Sequence, residues 1–233
     1  MDAFDAIMQR HGVLRYAPAP VELKKIERVL RAAVAAPSPA NTQPWAFLVV
    51  TEPELTRQVA EGLVRAQRED VFGRLLDVPE PFVERLMTLY DELTNAPCFI
   101  VLCRHRRVEL TPAAHTDTVR DWELCSLGAA MANLMTAATA LGLGTRWFGS
   151  VMMAESAAPL RRLLSIPDGV EIVAVTPLGY HEEPPKERPV QPLEALSGFQ
   201  RRSKEKLAAL LDGKLALEDV VYENGYGRSW GEA

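Results

Sequence analysis

The stretch from Leu124 to Leu141 constrains this chain more than any other. It is the most apolar helix candidate, and it is dense in small residues, including Gly128, Ala129, Ala130 and Ala132. A helix that is apolar all round has to be buried, and small side chains let neighbouring helices approach its backbone. Ser126, Asn133, Thr136 and Thr139 interrupt the run, so it reads as a core helix rather than a membrane span. With 233 residues the chain can build one sizeable core around it, or at most two small ones.

The rest of the chain supplies partners for that helix. Asp2 caps a first helix with Phe4, Ile7 and Met8 on one face and Gly12 at its end. A second opens at Pro20-Val21-Glu22, with Leu23, Ile26, Val29, Leu30 and Ala33 as its apolar face. After a proline-punctuated loop, Trp45 to Val50 reads as a strand. Thr51-Glu52-Pro53-Glu54 has capping-box spacing and starts a helix with Leu55, Val59 and Leu63. Ala66 to Pro81 is charged and reads as an irregular, mobile cover. Phe82, Leu86 and Leu89 mark another helix, and Cys98 to Cys103 another strand. The long helix, Trp122 to Leu141, is stopped by Gly142-Leu143-Gly144. Thr145 to Phe148 follows as a short strand, Met153 to Leu164 as a short helix, and Val170 to Leu178 as a strong strand. In the tail, Ser203 to Leu211 reads as a helix and Leu217 to Tyr222 as a strand. Helices and strands interleave without regular alternation, which predicts an α+β layered domain rather than a doubly wound one.

Composition closes off several classes. The chain is 48% hydrophobic and 24% charged with a formal net charge of -5, which argues against a nucleic-acid surface and against recruitment to an anionic membrane. Its three cysteines, Cys98, Cys103 and Cys125, are sparse and give no disulfide framework. Cys98 and Cys103 lie in an apolar run and read as buried residues on a strand. His105 follows without a second ligand pair, so no zinc site is expected. The acidic start, Met1-Asp2-Ala3-Phe4-Asp5, lacks the pattern of a signal peptide, and the expected setting is the reduced cytoplasm.

Four constellations carry chemistry. Arg10-His11-Gly12-Val13-Leu14-Arg15 gathers basic groups at a helix end, where they fit phosphate or simply cap carbonyls. Ser38, Asn41 and Gln43 place a hydroxyl and two amides in a rigid loop, suited to a polar ring edge or a polyol. Gly142-Leu143-Gly144-Thr145 is not a dinucleotide fingerprint, but a glycine-rich bend can set backbone N–H groups against a planar ligand. Lys186 and Arg188 lie one residue apart in a proline-held segment after Gly179-Tyr180. Each has a bland structural account when taken singly.

Together and in this order, from Arg10 to about Tyr222, they resemble the nitroreductase family of flavoproteins. The most specific piece is Ser38…Asn41…Gln43-Pro44-Trp45. The resemblance implies a nitroreductase-like α+β fold with a central mixed sheet flanked by helices. It implies a homodimer with FMN at the subunit interface, and a C-terminal segment exchanged with the partner. Residues 1–196 would form the FMN-binding domain and 197–233 the extension packing on the partner. Arg10, His11 and Gly12 match the basic motif at the FMN phosphate and part of the flavin. Gly12 stands where serine is usual. Ser38, Asn41 and Gln43 match a loop that meets the flavin, Gly144 and Thr145 the segment facing the isoalloxazine ring, and Lys186 and Arg188 a late basic pair on the phosphate. The activity implied is ping-pong transfer of electrons from NAD(P)H to an electron-poor acceptor such as a nitroaromatic or quinone, with no protein residue as catalytic acid or base. Flavin-fragmenting and ring-dehydrogenating relatives, and a flavin-storing protein with little turnover, are the competing readings. Leu14 stands where many relatives carry a basic residue. Arg146, in the ring-facing segment, is a candidate substitute, the alternative being a surface ion pair.

Overall fold

The computed structural model describes residues 1–108 and 116–181, together with the backbone of 190–191 and 214–215. The chain divides into two compact units, Met1–Pro184 and Pro185–Ala233. In the first, strands β1 (Trp45–Val50), β2 (Cys98–Arg104), β3 (Gly144–Thr145) and β4 (Glu171–Gly179) form one sheet in the order β1-β2-β4-β3. These strands are antiparallel throughout. The parallel element is a bridge from Gly12 to Thr145 at the outer edge. In the second unit, β5 (Val190–Gln191) pairs in parallel with β6 (Lys214–Leu215).

Alternation along β2 sends side chains to two apolar clusters, one on each face of the sheet. Ile100 and Leu102 face α2 (Leu23–Val34) and α5 (Thr116–Ala140), where Ile26, Val29, Leu127, Met131 and Leu134 pack. Phe99, Val101 and Cys103 face α3 (Pro53–Ala66), α4 (Glu80–Met87) and α6 (Ala154–Leu163). The fold is therefore a sheet between two helical layers, and α5 is the core helix that its composition requires. Helix α5 begins six residues before the apolar pattern does; in that extension Val119 is buried and Arg120 donates to Glu171 at 2.5 Å.

Several local expectations shift. Helix α1 (Ala3–Gln9) ends before Gly12, and Asp2 accepts from the Asp5 N–H as its cap. Its apolar face points outward: Phe4 is 70% exposed, whereas Ala6 is buried. The cap of α3 is Glu52 rather than Thr51, its carboxylate accepting from the N–H groups of Glu54 and Leu55. The supposed irregular cover continues α3 as a π-helix, Gln67–Leu75, which buries Asp70 and Phe72. Helix α4 buries Val83 and Met87 and leaves Phe82 exposed. The tail expectations over 203–211 and 217–222 lie outside the described residues. No helix among the described residues is long and apolar enough to cross a membrane.

Candidate functional site

The sequence-singled residues gather at two places. The first is the sheet corner at β3. The chain after α1 runs in beside this strand, with Gly12 bridged to Thr145 and the Val13 N–H donating to the Thr145 carbonyl at 2.9 Å. Gly144 makes that approach possible. A Cβ there would stand 2.7 Å from His181 Cδ2 and 2.9 Å from Val13 Cγ2, closer than packed atoms tolerate. His11 and His181 meet edge to face with ring centroids 5.5 Å apart. Arg10, His11, Gly12, Gly144, Thr145 and His181 thus share one corner. Thr145 is 1% exposed, and its hydroxyl has no hydrogen-bond partner among the described residues. An orphaned buried hydroxyl costs about 1–3 kcal/mol, and a ligand with polar groups at this edge would relieve it.

The second place is the loop before β1. Ala40, Asn41 and Gln43 adopt positive φ of 46°, 56° and 48°, a region that non-glycine residues avoid at a cost of about 1–2 kcal/mol each. Strain of this kind persists only where surrounding bonds over-determine it. Here Ser38 Oγ accepts from the Gln43 N–H at 3.0 Å, and the Ser38 carbonyl accepts from the Asn41 N–H at 3.0 Å. Arg107 Nη1 donates to the carbonyls of Gln43 and Trp45, at 3.2 and 2.9 Å. Locking the backbone this way leaves the Asn41 and Gln43 side chains exposed and directed by the loop.

One copy of the chain does not bring the two places together. Trp45 lies opposite Arg104, which lies opposite Glu171, whereas Gly144 pairs with Gly179 at the other end of β4. The loop and the β3 corner therefore stand at diagonal corners of the sheet. Three strand spacings and eight residues of strand separate those corners by roughly 30 Å, more than the length of one flavin mononucleotide. Lys186 and Arg188 lie outside the described residues.

The profile of the Nitroreductase family matches residues 7–180. The chain belongs to the nitroreductase family. Among its relatives is a protein of Archaeoglobus fulgidus, provisionally named a NADH dehydrogenase/NAD(P)H nitroreductase. It is 30% identical over 177 residues, which cover 76% of this chain and 84% of the relative. A solved structure from Parabacteroides distasonis with the same provisional name superposes with a TM-score of 0.57. It is 27% identical and covers 79% of this chain and 91% of its own. An FMN-dependent nitroreductase from Clostridium difficile shares the fold, with a TM-score of 0.55, 20% identity, and coverage of 77% and 88%.

One feature of this nitroreductase-family chain escapes the sequence, an ion-pair network beneath the strained loop. Glu123, 1% exposed, receives Arg104 at 2.8 Å and Arg106 at 3.1 Å, and Glu171 receives Arg104 at 2.9 Å and Arg120 at 2.5 Å. Burial pushes both carboxyls up, but hydrogen bonds from the arginines outweigh it and hold them below the ordinary glutamate value. The network fixes residues 104–106, and Arg107 follows directly onto the loop. Arg146, which the sequence already singled out, forms no surface ion pair among the described residues. Its guanidinium lies over the rings of Tyr90 and Phe148, at 5.4 and 5.8 Å from their centroids, and donates to Tyr90 Oη at 3.1 Å. No group of three or more His, Cys, Asp or Glu among the described residues could hold a metal.

Proposed function

We propose that this nitroreductase-family protein is an FMN-dependent oxidoreductase. It uses NAD(P)H in a ping-pong cycle to reduce an electron-poor acceptor such as a nitroaromatic or quinone. It does so as a homodimer in which each flavin lies between two copies. The observation that carries the reading is the diagonal separation of the two groups of site residues. Each has polar groups suited to a ligand, and the family resemblance assigns both to one flavin, so in this reading a second copy brings its loop to the first copy's β3 corner.

In this arrangement Arg10 supplies charge-assisted donors to the phosphate, a role that the resemblance also implies for Lys186 and Arg188. His11, Gly12, Gly144 and Thr145 form the edge against the flavin. The partner's loop contributes the Ser38 hydroxyl and the Asn41 and Gln43 amides to the ribityl chain and ring edge. Bound FMN supplies the two-electron chemistry, so the protein needs no nucleophile of its own. The names of the relatives, and the FMN dependence of the C. difficile fold neighbour, point the same way.

The test is the absorption spectrum of the purified or FMN-reconstituted protein, followed by anaerobic addition of NADH and NADPH. The expected result is a flavin spectrum that bleaches with at least one nicotinamide and recovers when a quinone or nitroaromatic is added. Initial velocities at several acceptor concentrations should give the parallel lines of a ping-pong cycle. Failure to take up flavin defeats the reading. A bound flavin that neither nicotinamide bleaches makes the protein a flavin store instead.

A further inference from the structure

Arg146 is the described arginine whose surroundings make least sense without a ligand. It is half-buried, and among the described residues no carboxylate lies within ion-pair reach of it. Arg104, Arg106 and Arg120 all meet carboxylates. The partners Arg146 has are aromatic: the faces of Tyr90 and Phe148 and the Tyr90 hydroxyl. Stacking on rings holds a guanidinium in place without cancelling its charge.

Its position is equally specific. A Cβ built on Gly12 would come 3.2 Å from Arg146 Nη1 and 3.7 Å from its Cγ. The absent side chain at 12 is what gives the guanidinium its room. That room lies in the corner where Gly12 is bridged to Thr145. Tyr90, 3% exposed, fixes the far side.

We propose that Arg146 is an anion-recognition residue of the flavin site, held by Tyr90 and Phe148 against Gly12 to receive negative charge on the bound flavin. The inference rests on the flavin reading above and adds to it a residue and a role. Two parts of one ligand carry that charge: the terminal phosphate, and the ring once it has gained two electrons. Arginine serves either, because its planar fork keeps its charge at any working pH.

The experiment compares full-length wild type with Arg146→Met, Arg146→Lys and Gly12→Ala. Binding of FMN and riboflavin to the apoprotein is followed by flavin fluorescence, and the two-electron midpoint potential of the FMN form is measured. Arg146→Met should lose at least tenfold in one of two places. If the phosphate is the anion, FMN binding weakens while riboflavin binding stays the same. If the reduced ring is the anion, oxidised FMN binds as before and reduced FMN binds tenfold more weakly, read as a potential lower by about 30 mV. Arg146→Lys should restore part of the loss. Gly12→Ala, which keeps the charge but crowds Nη1, should shift the same quantity in the same direction. Wild-type constants for FMN, riboflavin and potential in a folded Arg146→Met overturn the proposal and leave the flavin reading standing. A wild type that takes up no flavin defeats both.

Discussion

Cys98 and Cys103 show how far single residues were legible. An apolar run on a strand implied buried, inert thiols, and both are buried. Desolvation pushes the Cys98 thiol up to about 12 and the Cys103 thiol up to about 11. The thiolate is the reactive species, so no more than one of the three thiols should react with an aromatic disulfide at neutral pH. All three should react after denaturation. Two fast thiols in the folded protein would contradict the burial. The backbone of the 38–43 loop was not legible at all. Its residue types announced polar contacts, but the positive φ angles at Ala40, Asn41 and Gln43 sit in a loop closed by bonds from Gln43 to Ser38 and to Arg107, the latter far along the chain. Glycine adopts that conformation freely at the cost of extra disorder in the unfolded chain. The relief, about 1–2 kcal/mol, exceeds the entropic loss, about 0.5–1 kcal/mol. Ala40→Gly should therefore raise stability by about 0.5–1 kcal/mol in urea titration, and a decrease would show that the loop is held in another conformation.

Among the elements, strands were the easiest to read and helix phase the hardest. The bounds of β1 coincide with the sequence expectation because a short apolar run between turn residues has little freedom. Helix α1 has the expected periodicity, yet Phe4, Ile7 and Met8 face outward, since periodicity gives spacing and not the side on which the core lies. The π-helix after α3 was invisible for a related reason. Its buried Asp70 accepts from the Ser156 hydroxyl and pairs with Arg74, and Ser156 is 86 residues away. The network joining β2, β4 and α5 is likewise long-range. Removing one partner from a buried ion pair costs about 3–5 kcal/mol, so Glu123→Ala should lose roughly 3 kcal/mol in urea unfolding. The pH dependence follows from the lowered carboxyls. Glutamates held below their unfolded value stabilise the fold above that value, and the contribution is lost as pH falls through the folded one. Wild-type stability should therefore decline below about pH 4.5. Glu123→Ala should decline less steeply over the same range. Equal slopes would remove Glu123 from the acid response.

At the scale of the whole molecule, the family and the layered fold were legible because ordered motifs survive where pairwise identity is low. The placement of the 38–43 loop and the β3 corner at diagonal corners of the sheet was not, since strand order and register are set by long-range pairing. The outward face of α1, with Phe4, Ile7 and Met8 each at least half exposed, is the apolar surface that a partner copy would cover. Light scattering should find a dimer at micromolar concentration, and Phe4→Glu should shift it toward monomer. A flavin-loaded monomer would refute the assembly.

The proposed sharing of each pocket between copies would also tie cofactor supply to assembly by mass action. If flavin needs one corner from each copy, only the dimer binds it. Every increment of free FMN above its dissociation constant then lowers the apparent dissociation constant of the dimer. Flavin and partner become mutual effectors, with two flavins acting on one association. Dilution should release cofactor, and scarcity of cofactor should release subunits. The protein would carry a readout of flavin availability in its oligomeric state, measurable as a dilution midpoint that falls as FMN is added.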